Sequence, residues 1–243
     1  MIPVRDNIRA KHWPVMTLIL IALNTLIFIW CSTLSLRDLT VINRVYGMTP
    51  AYFSGTAAWP FAGFPFWLSL FTSQFIHGGW GHLLGNVLYL WIFGDNVEDK
   101  LGRWRFLLMY LCSGVIGNLL QIATEPASMM PVIGASGAIA GVLGAYFIMF
   151  PHAKIRTIIP FFILFLFPFN VPAVVYLGIW FLMQVISGRQ IMAGSSQNVA
   201  YWVHVGGFLF GAAVGYWYNH NKKQHPERLD FDEDDLDPDA KFN

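Results

Sequence analysis

One serine and one histidine, far apart in the sequence, have the residue types of a nucleophile and its base. Ser136 lies near the start of a run of small residues, 134–144, and His204 begins a second Gly-rich segment. A serine hydroxyl becomes a useful nucleophile when a base within hydrogen-bond reach takes its proton, and histidine is the usual base. The pair predicts acyl transfer, provided that the fold brings the two side chains together.

Acyl transfer also needs hydrogen-bond donors for the negative charge that develops on the attacked carbonyl oxygen. His82 and Asn86 are four residues apart, so they lie on one face of a helix. Together with the backbone N–H of Ser136, they are the candidate donors. His77 lies about 140° around the same helix from His82 and is expected at the rim of the site.

Each of these residues also has a purely structural interpretation. Ser136 could be the N-cap of an ordinary helix, since serine is favoured there. His204 could be a buried histidine that is hydrogen-bonded to a carbonyl group. His82 and Asn86 could form an interhelical hydrogen bond that holds a helix bundle together.

The elements that must position these residues are membrane helices. Hydrophobic residues make up 56% of the chain and charged residues 12%, whereas a soluble domain carries about 25% charged residues. The sequence therefore predicts an all-α, polytopic membrane protein. Apolar runs predict six helices, at residues 14–34, 71–93, 104–124, 136–150, 172–187 and 199–218. The fourth has fifteen residues, which is short for a lipid-facing span of about 20 residues, and its glycines predict that it is the buried central helix of the bundle.

The predicted organisation is a short N-terminal arm (residues 1–13), a six-helix membrane domain (14–218) and an acidic, disordered tail (219–243). A charged turn is expected after the second span. Residues 157–170 are apolar but interrupted by prolines, and they form either a re-entrant interfacial segment or part of a kinked fifth span. Basic residues concentrate in the arm, the turn, the segment after the fourth span and the tail, which predicts that both termini are cytoplasmic.

This topology places the candidate residues at one depth. The second, fourth and sixth spans enter from the outer face, and each carries its polar residues near that end. Small residues let membrane helices approach closely, and the fourth and sixth spans have such faces. The glycines expected to pack are Gly134, Gly137, Gly141, Gly207 and Gly211. No carboxylate lies at this depth in a span, so a Ser-His dyad is predicted rather than a triad.

Three motifs resemble the signatures of rhomboid intramembrane serine proteases of the six-span prokaryotic type. They are His77-Gly-Gly-Trp-Gly-His82-Leu-Leu-Gly-Asn86, Gly134-Ala-Ser136-Gly137 and His204-Val-Gly-Gly207. The resemblance implies that Ser136 attacks a peptide bond near the outer end of a substrate's transmembrane segment. His204 would be general base and then general acid, and His82, Asn86 and the Ser136 N–H would bind the oxyanion.

The same resemblance implies transmembrane protein substrates, contact with membrane lipids, no cofactor, no metal and no nucleic-acid partner. It also implies an integral membrane protein of the bacterial inner membrane. One position departs from the family, because Ala140 stands where many members have an aromatic residue stacked beneath the histidine. Another aromatic side chain would then have to orient His204, and the candidates are Tyr201, Trp202 and Tyr146.

Two other functions are compatible with parts of this pattern. A catalytically silent rhomboid-like protein would bind membrane clients without cutting them, but such relatives typically lose the serine or the histidine. A metal-binding or transport protein could use His77, His82 and His204 as ligands. Membrane metal sites usually add carboxylates, which are missing at that depth.

Overall fold

The computed structural model describes residues 1–158, 168–192 and 199–224, and most of them are helical. The α-helices are α1 (Val15–Ser32), α2 (Leu36–Tyr46), α3 (Pro50–Phe53), α4 (Ser69–Thr72), α5 (Trp80–Leu101), α6 (Arg103–Thr124), α7 (Ser136–Met149), α8 (Ala173–Met192) and α9 (Tyr201–Gln224). The strands are β1 (Ile2–Asp6), β2 (Lys154–Ile158) and β3 (Pro168–Pro172).

Three helices within the described residues, α1, α6 and α8, are long and apolar enough to cross a membrane. The length and composition of these helices confirm the prediction of an integral membrane protein. Helix α7 is apolar but has only 14 residues, and residues 137–146 are all buried. A short, Gly-rich helix at the centre of the bundle is thus what the sequence predicts and what the structure contains.

Glycines bring α7 and α9 into backbone contact. A Cβ atom on Gly207 would collide with the carbonyl oxygen of Gly137, and one on Gly211 would collide with that of Gly141. The two helices run in the same direction, because Gly215, one turn further along α9, meets Ala145 of α7. The contact therefore sets the first turn of α9 beside the first turn of α7.

A small antiparallel sheet corrects the all-α prediction. The strand order is β1-β2-β3, and β1 comes from the predicted N-terminal arm. Strand β2 buries Ile155 and Thr157 between more exposed neighbours, which is the two-residue period of a strand. The described ends of segment 157–170 belong to β2 and β3, so the alternative of a kinked helical span is wrong at those ends. Residues 159–167 lie outside the described part of the chain, and the re-entrant alternative stays a prediction.

Helix α5 begins at Trp80, later than the predicted start at residue 71. Arg103 and Arg105 of the predicted charged turn lie in α6, whereas Asp95, Glu98, Asp99 and Lys100 lie within α5. One of them, Glu98, is buried and caps α1. Its carboxylate oxygens accept hydrogen bonds from the N–H groups of Met16 (2.8 Å) and Thr17 (2.7 Å). Pro14 offers no side-chain cap to α1, so a carboxylate from the neighbouring helix satisfies the free N–H groups.

The last two long helices extend beyond their predicted ends. Helix α8 continues past residue 187 to Met192, and residues 193–198 lie outside the described part. Helix α9 continues past Tyr218 to Gln224, so the start of the predicted disordered tail is helical. Residues 225–243 are again outside the described part, and the end of the membrane-embedded region at residue 218 stays a prediction.

Candidate active site

The structure brings Ser136 and His204 into hydrogen-bond contact. The Nε2 atom of His204 lies 2.8 Å from the Oγ atom of Ser136, across the contact between α7 and α9. Ser136 is the first residue of α7, and the N-cap position is occupied by Ala135. The hydroxyl faces the imidazole, so the interpretation of Ser136 as an ordinary N-cap residue is wrong.

The second ring nitrogen of His204 has a partner that the sequence reasoning missed. Its Nδ1 atom lies 2.8 Å from Oε1 of Gln184, a half-buried residue of α8. The amide nitrogen of Gln184 donates to the carbonyl oxygen of Trp180, at 3.3 Å. The histidine is therefore held by a side-chain amide, not by a backbone carbonyl.

Aromatic rings flank His204 on two sides. The ring of Trp180 lies 6.0 Å from the imidazole at 36°, and that of Tyr201 lies 6.3 Å away, edge to face. Tyr201 is one of the predicted candidates for orienting the histidine. Trp202 instead lies against Gly188, and Tyr146 donates to Asp6 near the other end of α7, so these two predictions are wrong.

Ala140 lies in the tight α7–α9 contact. A Cβ on Gly207 would be 3.4 Å from the Cβ of Ala140, and Ala140 is fully buried. A larger side chain at position 140 would have to push the two helices apart. The aromatic contacts to His204 come instead from Trp180 of α8 and Tyr201 of α9.

The candidate oxyanion donors lie against Gly134, two residues before the serine. Gly134 has φ = +122°, a conformation that favours glycine. A Cβ there would strike the ring of His82 and would lie 3.7 Å from the amide nitrogen of Asn86. This amide nitrogen is buried and has no hydrogen-bond partner among the described residues.

The hydrogen bonding of His82 suits a donor role. Its Nδ1 atom accepts a long hydrogen bond from the N–H of Gly78, at 3.5 Å. In the neutral imidazole one nitrogen accepts and the other donates, so this contact leaves the proton on Nε2. That nitrogen is the one that faces Gly134.

His77 is not at the rim of the site. It is only 3% exposed, it precedes α5 rather than lying on it, and its ring packs edge to face on that of His82 at 5.2 Å. Neither of its ring nitrogens has a hydrogen-bond partner among the described residues. Because α5 begins only at Trp80, His77 lies in the preceding turn. From there its ring packs against that of His82.

A cavity of about 260 Å³ opens beside His82. Gln121 and Glu125 at the end of α6, the loop residue Val132 and the α8 residue Ile191 are among the residues that line it. A larger cavity lies near the opposite end of α7 and is lined by the N-terminal arm. The smaller cavity is the one that a molecule contacting His82 could occupy.

The arrangement has the parts that acyl transfer requires. A hydroxyl contacts a histidine nitrogen, the histidine is fixed from its other side, and two side-chain donors converge on the backbone near the hydroxyl. Within the part of the chain that the structure describes, no group of three or more His, Cys, Asp or Glu side chains could hold a metal ion.

Comparison with known proteins identifies related sequences. The family model of the Rhomboid domain matches residues 65–221. The chain is 35% identical to the mitochondrial Rhomboid protein 1 of Saccharomyces cerevisiae over 170 residues, which is 67% of this chain and 45% of that protein. It is 30% identical to the chloroplastic Rhomboid-like protein 11 of Arabidopsis thaliana over 160 residues, 62% of this chain and 52% of that one.

A shorter match has higher identity. The chain is 44% identical to the rhomboid protease GluP of Bacillus subtilis over 79 residues, which is 32% of this chain and 15% of that protein. The chain thus spans about half the length, or less, of these relatives.

Proposed function

The chain belongs to the rhomboid family, and from that premise we propose that it is an intramembrane serine endopeptidase. It cleaves transmembrane segments of membrane proteins near the outer face of the membrane. The observation that carries the proposal is the 2.8 Å contact between Ser136 Oγ and His204 Nε2, which joins the first turns of two Gly-packed helices. A nucleophile and its base in direct contact are the signature of covalent catalysis.

The reaction begins with proton transfer. Ser136 Oγ attacks the carbonyl carbon of the scissile peptide bond, and its proton passes to His204 Nε2. The tetrahedral intermediate then collapses, and the C–N bond breaks as the imidazolium returns the proton to the leaving amine. A water molecule, deprotonated by the same histidine, hydrolyses the resulting acyl-enzyme.

The oxyanion of the intermediate is bound by the backbone N–H of Ser136 and by the side chains of His82 and Asn86. The first N–H groups of a helix have no intrahelical partner, and Ser136 is the first residue of α7. The Asn86 amide is a buried donor whose acceptor would be the substrate oxygen. Such donors stabilise the transition state strongly because they point to the position of the oxyanion before the reaction begins.

The proposed membrane arrangement has six spans, α1, α5, α6, α7, α8 and α9, within residues 14–218, and both termini are cytoplasmic. Residues 1–13 and 219–243 then lie on the cytoplasmic side. The location we propose is a bacterial inner membrane, which the similarity to the Bacillus subtilis protein supports. The name of the yeast relative assigns that protein to mitochondria, so fractionation of the source cell tests the location.

A catalytically silent, client-binding relative is the alternative. Such a protein has no need of a serine and a histidine in hydrogen-bond contact, and this chain has both. Retention of the pair favours the protease.

Cleavage of a transmembrane reporter substrate by the purified protein tests the proposal. Ser136→Ala and His204→Ala should each remove nearly all turnover, and the double variant should be little worse, because the two groups act as a unit. Asn86→Ala should lower kcat by about 10²-fold while leaving the fold intact. Equal, small losses for all three single variants would mean that these residues only pack, and the proposal would fail.

A further inference from the structure

Gln184 links the candidate dyad to α8, and its amide has a defined orientation. Its side chain contacts two groups, the carbonyl oxygen of Trp180 (3.3 Å) and the Nδ1 atom of His204 (2.8 Å). A carbonyl oxygen can only accept a hydrogen bond. The NH₂ group of Gln184 must therefore face Trp180, which turns Oε1 toward the histidine.

The orientation of the amide determines the tautomer of His204. Because Oε1 of Gln184 can only accept, the proton of the neutral imidazole lies on Nδ1. The Nε2 atom is then left with its lone pair, and that atom lies 2.8 Å from Ser136 Oγ. This is the tautomer that a general base for Ser136 requires.

Aromatic residues next to Gln184 also hold α8 against His204 and α9. Trp180, four residues earlier on α8, packs its ring against His204 and against Phe208. Phe181 stacks on Phe208 with ring centroids 4.6 Å apart. The face of α8 that carries Gln184 is thus seated on α9, whereas its opposite face carries exposed apolar residues such as Leu182 and Ile186.

We propose that Gln184 is a positioning residue that completes a Ser136–His204–Gln184 triad by holding His204 in its Nδ1–H tautomer. The role rests on the proposed function, since Gln184 acts through the histidine and does not touch the substrate. During the reaction His204 Nε2 takes the serine proton, and the Nδ1–H stays hydrogen-bonded to Gln184 throughout. The base is complete only while α8 is seated on α9.

The first test compares pH–rate profiles for cleavage of the transmembrane reporter. Gln184→Leu should lower kcat by about 10²-fold, since it removes the acceptor at similar side-chain volume. Gln184→Glu should keep much of the activity and move the acidic limb of the profile to higher pH by about one unit or more, because a carboxylate favours the imidazolium. Gln190→Leu, an exposed glutamine of the same helix, is the matched control and should behave as wild type.

A shift of the acidic limb can be attributed to the substitution at position 184. Among the described residues, the titratable groups that face His204 are His82 of α5 and Tyr201 of its own helix, and both are unchanged in all variants. A purely structural role would lower activity without moving the limb. If Gln184→Glu leaves the limb in place, or if Gln184→Leu is as active as wild type, the proposal is wrong.

A second measurement does not depend on catalysis. ¹⁵N NMR of histidine-labelled Ser136→Ala protein in detergent reports the tautomer of His204, which is assigned by comparison with the Ser136→Ala, His204→Ala protein. The expected state is Nδ1–H, lost in the Gln184→Leu variant. An Nε2–H state in the parent protein would overturn the inference while leaving the protease proposal to its own test.

Discussion

The α7–α9 contact makes a prediction about Gly211, which lies two turns below His204. A Cβ at this position would overlap the carbonyl oxygen and the Cα atom of Gly141. Non-bonded atoms settle at about 3.5 Å or more, so Gly211→Ala must push the two helix backbones apart. Both partners of this contact are backbone atoms, which cannot rotate away as the end of a flexible side chain could.

The expected cost follows from the two effects of the added methyl group. Overpacking of a tight contact destabilises the folded state by about 1–3 kcal/mol. Replacing a glycine within a helix by alanine stabilises it by roughly 0.5–1 kcal/mol. Gly211→Ala should therefore lower the free energy of unfolding by roughly 0–2.5 kcal/mol, about 1 kcal/mol near the middle of that range. Activity should fall further, because a 1 Å displacement near a reacting pair can cost about 10²-fold.

The assay is unfolding of the detergent-solubilised protein by SDS titration, followed by circular dichroism, beside cleavage of the reporter substrate. Gly85→Ala is the matched control, since a Cβ on this α5 glycine would meet nothing within 4 Å. It should be as stable as wild type or slightly more stable. If Gly211→Ala equals Gly85→Ala in both stability and activity, the close backbone contact of α7 and α9 is refuted.

Two further predictions concern buried carboxylates. Glu98→Ala should lower the free energy of unfolding by about 2–4 kcal/mol, because two N–H groups at the start of α1 lose their acceptors, and SDS titration measures the loss. Burial, and next the neighbouring Asp95, raise the pKa of Asp6 to about 7, although Tyr146 donates to it. The folded state therefore binds a proton more tightly than the unfolded state, and stability should fall as pH rises from about 4 to 7; Asp6→Asn should weaken this dependence.

Each of these predictions has a contradicting result. Glu98→Gln keeps one carbonyl oxygen as an acceptor and should cost less than Glu98→Ala. A Glu98→Ala variant as stable as wild type would mean that the cap contributes little. A wild-type protein whose SDS midpoint is the same at pH 5 and pH 8, or an Asp6→Asn variant with undiminished pH dependence, would show that Asp6 is not buried as a neutral acid.

The sequence predicted the dyad contact because its positions follow from simple periodicity. The glycines of α7 and α9 recur at helical spacing and have no other evident use, so the two helices could be paired before the structure was available. Pairing them in the same direction sets Ser136 beside His204. His82 and Asn86 follow from their spacing of four residues on α5.

Gln184 could not be assigned in the same way. It is uncharged and has no motif around it, and its role depends on how α8 is rotated against α9. The available signal was a side-chain amide among the apolar residues in the middle of a helix, since polar residues in membrane helices usually find an interhelical partner. The sheet was not predicted, because the prolines of residues 157–170 were interpreted as interruptions of a membrane segment. The two-residue alternation of β2 is the signal that would have indicated a strand.

The most direct test of the account is labelling of the purified protein with a fluorophosphonate probe in detergent. The wild type and Ser113→Ala, which changes a buried serine of α6, should be labelled. Ser136→Ala and His204→Ala should not be labelled, although both should keep the helical circular-dichroism spectrum of the wild type. Labelling of Ser136→Ala, or absence of labelling in a well-folded wild type, would contradict the claim that Ser136 is a nucleophile activated by His204.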